Sequence, residues 1–308
     1  MGTRGLRGFV AFSYLWYAMW FLAPALIMLI YALGRTAGLT QQGLVNLNHI
    51  GFSNFSAALA YPSGPVLQIS LENAVLATAL CGVIAYPVAY FIATKLRARA
   101  RALALLLVVL PFWTDYLLRM LGWRIFLSPI GLLYGALHGI GLNVGPISLL
   151  DTRTAVMIGL VYNYLPLFIL PLTVVLERID PLLRHAADDL GARAFTVFRT
   201  VTLPLSMPGV VAGTVLVFVP MLGDYVTPTL LGGARGLMIG SLIASEFTVG
   251  QNWSLGAAMS LLLVVILVGI VVGAGLLAVG IRAAIARARG RAFAREDPFS
   301  ARRKEALV

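Results

Sequence analysis

The chain has 308 residues, of which 60% are hydrophobic and 11% charged, with a formal net charge of +11 and a mean hydropathy of +0.91. Soluble domains carry about 25% charged residues, and a soluble chain of this length has no core large enough to hide so much apolar surface. The excess must face lipid, which excludes an ordinary soluble protein and predicts an all-α, polytopic membrane protein with about six transmembrane helices.

Residue counts exclude more. The single cysteine, Cys81, permits no intrachain disulfide and no cysteine-based metal site. His49, His138 and His185 are scattered and share no metal-ligand spacing, so no metal site is expected. Neither lysine, Lys95 or Lys304, ends a Gly-x₄-Gly-Lys-[Ser/Thr] loop, so an ATP-driven function would need an ATPase from another chain.

Taken in chain order, Arg4 and Arg7 precede an apolar run at 15–33. That run exceeds the 7–15 residues or so of a signal-peptide core and reads as a retained anchor. A connection rich in Gly, Pro, Asn and Ser (34–70) leads to a second span, 71–93. Lys95, Arg97, Arg99 and Arg101 fill the turn into a third, 102–121. Inside it Pro111 marks a break, and Asp115 lies between Trp113 and Tyr116 toward the far end. Ionisable groups inside spans are costly and by default mark a pathway, and a broken helix at membrane depth lines a cavity. Two plainer readings stand beside this one: Asp115 and Arg119, at i and i+4, can neutralise each other, and Trp113 can be an interface anchor.

A second connection (122–154) precedes the fourth span, 155–176, and then comes the stretch 177–208. Asp180 suits an N-cap and Pro181 the first helical position. Gly191 suits a helix stop with positive φ. The expected product is a short helix with two small residues, Ala186 and Ala187, flanked by Arg184, Asp188, Asp189 and Arg193. Small side chains allow close approach to a partner, and the charges can orient it; an amphipathic connector lying at the headgroups has the same pattern. A second helical run is expected to end at Pro204 and Pro208, before the fifth span.

The fifth span, 209–231, contains Pro220, Gly223, Asp224, Tyr225 and Pro228, and the sixth covers 255–281. Asp224 matches Asp115 in depth, and carboxylates beside Trp113, Tyr116 and Tyr225 suit a cationic solute. Glu246, in the connection 232–254, is a further candidate for the entry side. Basic residues cluster at the N-terminus, in 95–101, in 178–199 and in the tail 282–308, which places both termini in the cytoplasm. The tail reads as a topology signal attracted to anionic lipid, with no nucleic acid implied. The whole chain, 1–308, reads as a single transmembrane domain.

The run His185-Ala186-Ala187, three residues, Gly191, nine residues, Val201-Thr202-Leu203-Pro204 resembles the Glu-Ala-Ala loop of ABC-type importer permeases. The spacing agrees throughout, with His185 in place of the usual Glu and Val201 in place of Ile. The stretches 111–114 with Leu118, Arg119 and Trp123, and 222–228 with 230–233, resemble spermidine/putrescine permease subunits, more the first such subunit than the second.

The resemblance implies a type I ABC importer permease fold in a bacterial inner membrane and a non-catalytic subunit moving a small cationic solute by alternating access. It makes 177–208 the coupling loop, with Asp180, Arg184, His185, Ala186, Ala187, Asp188, Gly191, Leu203 and Pro204 facing the ATPase. It implies as partners a second permease subunit, two copies of an ATPase that uses ATP and Mg, an extracytoplasmic solute-binding protein and membrane lipid. Trp113, Asp115, Tyr116, Asp224, Tyr225 and Glu246 are the candidate solute pathway. An importer of another small solute, or an ion-coupled secondary transporter, are the alternatives; the latter leaves the coupling loop unexplained.

Overall fold

A computed structural model describes residues 3–36, 45–47, 50–60, 62–141 and 149–295, with side chains from residue 12 to residue 276. His49 and the basic side chains of the tail lie outside what is described. In chain order the helices are α1 (Thr3–Leu33), α2 (Ser53–Leu59), α3 (Ser63–Lys95), α4 (Ala98–Val109), α5 (Tyr116–Leu127), α6 (Leu132–Gly139), α7 (Arg153–Glu177), α8 (Pro181–Asp189), α9 (Ala194–Val197), α10 (Leu203–Leu222), α11 (Ile239–Thr248) and α12 (Trp253–Arg295). A two-residue antiparallel ladder pairs Arg35 with Asn46 and Thr36 with Val45.

Among the described residues five helices are long and apolar enough to cross a membrane: Phe12–Leu33, Ser63–Lys95, Arg153–Glu177, Ala194–Leu222 and Trp253–Leu276. The pair Ala98–Trp113 and Tyr116–Leu127, bent by 87° at the break between them, is apolar enough to make a sixth when the two are taken as one broken span. The chain forms two compact units, Met1–Leu261 and Leu262–Val308.

The core of the first unit is α7 packed between α3 and α10. α3 offers α7 a row of small buried residues, Ala74, Ala77, Cys81, Ala85 and Ala89. In a bilayer, where lipid is as apolar as leucine, small residues drive association by letting backbones approach. α7 fills the gap with Leu160, Phe168, Leu172 and Leu176, all almost fully buried. At the end of α3, the Arg101 guanidinium donates to the carbonyls of Ile92, Ala93 and Leu96 and pairs with Glu177 Oε1 at 3.6 Å. One side chain thus satisfies carbonyls that the helix end leaves free and ties α3 to the end of α7.

α1 and α12 extend beyond their expected apolar runs, and three further differences from the sequence expectation bear on the site. The second span begins at Ser63 rather than 71, because the helix runs on into the preceding connection. The third is not one helix over 102–121. A 3₁₀ turn at Leu110–Trp113, started by Pro111, ends at Thr114, and the chain resumes as α5 in a new direction. Pro204 and Pro208 do not end the second helical run either. A π-helical turn at Phe198–Thr202 joins α9 to α10, so the helix continues from Ala194 to Leu222 and ends nine residues before the expected 231. A π turn changes which carbonyls are paired, one of the ways a helix accommodates a proline that lacks its N–H.

Candidate functional site

The fifth span stops because Gly223 and Asp224 leave the helix, and it restarts as a π-helical turn at Pro228–Gly232. Asp224 initiates the restart. Its Oδ1 accepts from the backbone N–H of Val226 at 2.9 Å and of Thr227 at 3.2 Å. Oδ2 accepts the Thr227 hydroxyl at 2.7 Å, the Tyr116 hydroxyl at 2.5 Å and the Tyr164 hydroxyl at 3.5 Å. Tyr116 Oη also lies 2.6 Å from Thr227 Oγ1; the two hydroxyls have one proton each, so at any time they fill two of the three contacts in this triangle with Oδ2, and the Tyr164 hydroxyl divides its one proton between Oδ2 and the Pro220 carbonyl at 3.5 Å.

With 5% of its surface exposed, Asp224 sits at a junction of three spans, joined by Tyr116 from α5 and Tyr164 from α7. Its described partners are hydroxyls and amides, with no cationic side chain among them. A buried carboxylate is tolerated only when its oxygens are hydrogen-bonded, and here both are.

The connection after the span closes over this break. A Cβ added to Gly240, at the start of α11, would lie 2.6 Å from the Asp224 carbonyl oxygen and 2.7 Å from that of Gly223. Ser70 Oγ of α3 accepts the Ile239 N–H at 2.7 Å and pins the same end of α11. Backbone therefore meets backbone beside the candidate carboxylate, and glycine is what permits it.

Of the predicted pathway residues, the structure brings Tyr116 and Asp224 together. Asp115 is elsewhere: exposed, it N-caps α5 by accepting from Leu117 and Leu118 N–H at 2.8 and 3.2 Å. It does not pair with Arg119, whose guanidinium lies over the rings of Phe112 at 5.0 Å and Tyr116 at 5.8 Å. The Tyr116 face expected to attract an ammonium is thus taken by an internal cation. Trp113 and Tyr225 are exposed, at 79% and 54%. Glu246 lies half-buried on α11.

Sequence reasoning missed Tyr164 and Thr227. Thr227 stands inside the motif around Asp224, and Tyr164 follows Asn163 in the middle of an apolar span, where polar side chains signal function. A cleft of about 340 Å³ beside Arg119 is lined by Gly122, Trp123, Phe126 and Tyr162.

The 177–208 connection folds locally as its residues dictate. Asp180 accepts from Leu182 N–H at 2.9 Å, Pro181 opens α8, and Gly191 ends it at φ +79°. The Gly191 N–H bonds to Asp188 O and the Ala192 N–H to Ala187 O, closing the last turn. No residue of α8 is buried. Arg184 and Ala187 are half-buried, while His185, Ala186 and Asp188 are exposed. Leu182, Leu190 and Phe195 are exposed at 70%, 89% and 73%, an apolar surface on a polar connection. Leu203 and Pro204 lie in the first turn of α10, beyond the π-helical segment.

Residues 82–287 match the family described as the binding-protein-dependent transport system inner membrane component. The spermidine/putrescine transport system permease protein PotB of Haemophilus influenzae is 45% identical over 202 residues, which cover 66% of this chain and 70% of that protein. PotB of Escherichia coli K12 is 42% identical over 202 residues, covering 66% and 73%. A crystal structure of a bacterial alginate ABC transporter, in complex with an alginate pentasaccharide-bound periplasmic protein, superposes with a TM-score of 0.67 at 18% identity over 87% of this chain and 92% of that one. That likeness establishes the fold, an ABC importer permease. With the family matched across most of the spans, the chain belongs to the inner membrane components of binding-protein-dependent transport systems, as a multi-pass permease of the inner membrane.

Proposed function

We propose that this permease subunit imports a polyamine such as spermidine or putrescine, and that Asp224 contributes a carboxylate to its path. The observation that carries the reading is the 45% identity to a spermidine/putrescine permease. Chemistry supports it: Asp224 lies at a break in a span and is joined by two phenols and a threonine hydroxyl rather than by an internal cation. An ammonium is the complement such a group lacks, and bonds between ions outcompete those from neutral donors.

In this reading both termini are cytoplasmic and the subunit itself is non-catalytic. The transporter uses two copies of an ABC ATPase with ATP and Mg, and one of them docks on 177–208, where the exposed Leu182, Leu190 and Phe195 suit an apolar groove. A second permease subunit completes the pore, and an extracytoplasmic solute-binding protein delivers the solute at the opposite face. Asp180, Arg184, His185, Ala186, Ala187, Asp188 and Gly191 form or flank the docking helix, and Leu203 and Pro204 connect it to the fifth span. Asp115, Trp113, Tyr225 and Glu246 stand apart from the Asp224 cluster and line the route only if it widens toward them.

Uptake of labelled spermidine and putrescine tests this in cells expressing the chain with its neighbouring transport genes. Uptake that needs the ATPase and falls at least tenfold in Asp224→Asn, in a complex that still assembles, is expected. No amine uptake by an assembled, ATP-hydrolysing complex would sink the polyamine reading and favour another small solute. Uptake that survives loss of the ATPase but collapses with an ionophore would favour ion-coupled transport.

A further inference from the structure

Asp224 makes two kinds of bond. The bonds to Val226 N–H, Thr227 N–H and the Thr227 hydroxyl lie within its own turn and move with it. Those to Tyr116 and Tyr164 cross to other spans. Tyr164 is held at 3.5 Å and is shared with the Pro220 carbonyl. Tyr116 is held at 2.5 Å and opens α5, directly after the 87° bend. The short crossing bond is thus made by the element with a sharp bend beside it.

The bend is held on both sides. Thr114 Oγ1 donates to Pro111 O at 2.7 Å on one side, and Asp115 caps α5 on the other. Arg119 lies over Phe112 before the bend and Tyr116 after it, so the ring whose hydroxyl reaches Asp224 also carries a cation that spans the bend. Turning its proton to Thr227 Oγ1, 2.6 Å away, frees Tyr116 from Asp224 locally, while any larger displacement of the ring acts on the bend through Arg119.

We propose that the Tyr116 hydroxyl is a latch: it occupies Asp224 Oδ2 while the path is closed, and an ammonium of the solute displaces it, releasing α5 to pivot at Thr114–Asp115. The proposal rests on the reading of Asp224 as a cation site. It assigns Tyr116 a positioning role, as the donor with which the solute competes. Neutral phenol and ammonium seek the same oxygen, and the charged donor forms the stronger bond, so solute arrival itself favours release.

The test uses the whole transporter in nanodiscs, with its second permease, ATPase and binding protein, and reads ATP hydrolysis with and without spermidine-loaded binding protein. Tyr116→Phe removes the latch and keeps the ring. Basal hydrolysis is expected to rise about tenfold, the low end of the shift when one bond to a charged group stops favouring the closed state, with a smaller ratio of stimulated to basal rate. Tyr164→Phe is expected to change basal hydrolysis by less than about twofold, because its bond is long and shared.

A fluorinated phenol introduced at Tyr116 keeps the shape and donates more strongly. It is expected to lower the basal rate and raise the uptake KM, and so keeps the latch testable if Tyr116→Phe assembles poorly. Unchanged basal rate and stimulation ratio in both position-116 variants, with Asp224→Asn inactive in uptake, would overturn the latch alone. Normal uptake by Asp224→Asn would overturn the latch together with the cation site.

Discussion

The ring of Phe168 lies against the bare Cα of Gly213: a Cβ added there would sit 2.8 Å from Phe168 Cδ1 and 3.0 Å from Cε1. Toward the tip of the same ring, a Cβ added at Gly82 would meet Cζ at 3.3 Å. One aromatic side chain of α7 thus occupies space left by glycines on α10 and α3.

Gly213→Val should therefore lower the yield and thermal stability of the assembled transporter, by roughly 1–3 kcal/mol as for other overpacked sites. Phe168→Leu in the same chain should restore much of the loss by emptying the space the valine needs. Size-exclusion profiles and thermal aggregation in detergent would show both. A Gly213→Val transporter as stable as wild type would mean the α7–α10 contact yields easily.

Gly191 is different in kind. It has φ +79° and nothing within 4 Å of an added Cβ, so substitution there costs backbone conformation and no packing. Gly191→Ala should weaken the end of α8 by about 1 kcal/mol, and Gly191→Asn by less, since asparagine tolerates the left-handed region. Stimulated ATP hydrolysis and uptake should fall in the order wild type, Asn, Ala. Equal losses in the two variants would argue against a backbone cause.

Arg101 satisfies three carbonyls and faces Glu177. Arg101→Gln should cost roughly 1–3 kcal/mol in thermal unfolding, because those carbonyls lose a charged donor. Glu177→Gln should cost much less: the pair is 3.6 Å apart and both side chains are partly exposed. Comparable melting shifts from the two would mean that the ion pair, and not the helix-end bonding, matters.

Thr227→Val keeps the shape of the side chain and deletes the hydroxyl given to Asp224 at 2.7 Å. Loss of that donor to a buried carboxylate should cost roughly 1–3 kcal/mol and reduce uptake, with Thr227→Ser close to wild type. Melting curves and spermidine uptake would check this together. Valine behaving like serine would show that Asp224 does not depend on the hydroxyl.

How far the sequence discloses these features depends on the range of the forces that shape them. α8 is legible because Asp180, Pro181 and Gly191 act within a few residues of their own positions. The apolar runs are legible because the bilayer acts on length and composition. The π-helical passage through Pro204 is not, since a proline signals a break and the rearranged bonding that avoids one depends on neighbours such as Tyr86. Its hydroxyl bonds to Ser206 at 2.7 Å while its ring meets Phe198 edge-on. Asp115 and Asp224 look alike in sequence, each near a break. One caps an exposed helix start and the other gathers donors from three spans, a distinction made by long-range packing.

The unbroken run from Ala194 to Leu222 has a mechanical meaning. Its 29 residues make a strut about 43 Å long at 1.5 Å per residue. One end emerges from the turn after α8, and the other stops at Gly223, next to Asp224. Moving as one body, such a run carries displacement from one end to the other. A tilt of about 5° about its α8 end would swing the Gly223 end by roughly 4 Å, from the same length. Hydrogen bonds fail well within that distance. Leverage alone therefore makes a slight rocking at one face of the membrane enough to part Asp224 from Tyr116 toward the other.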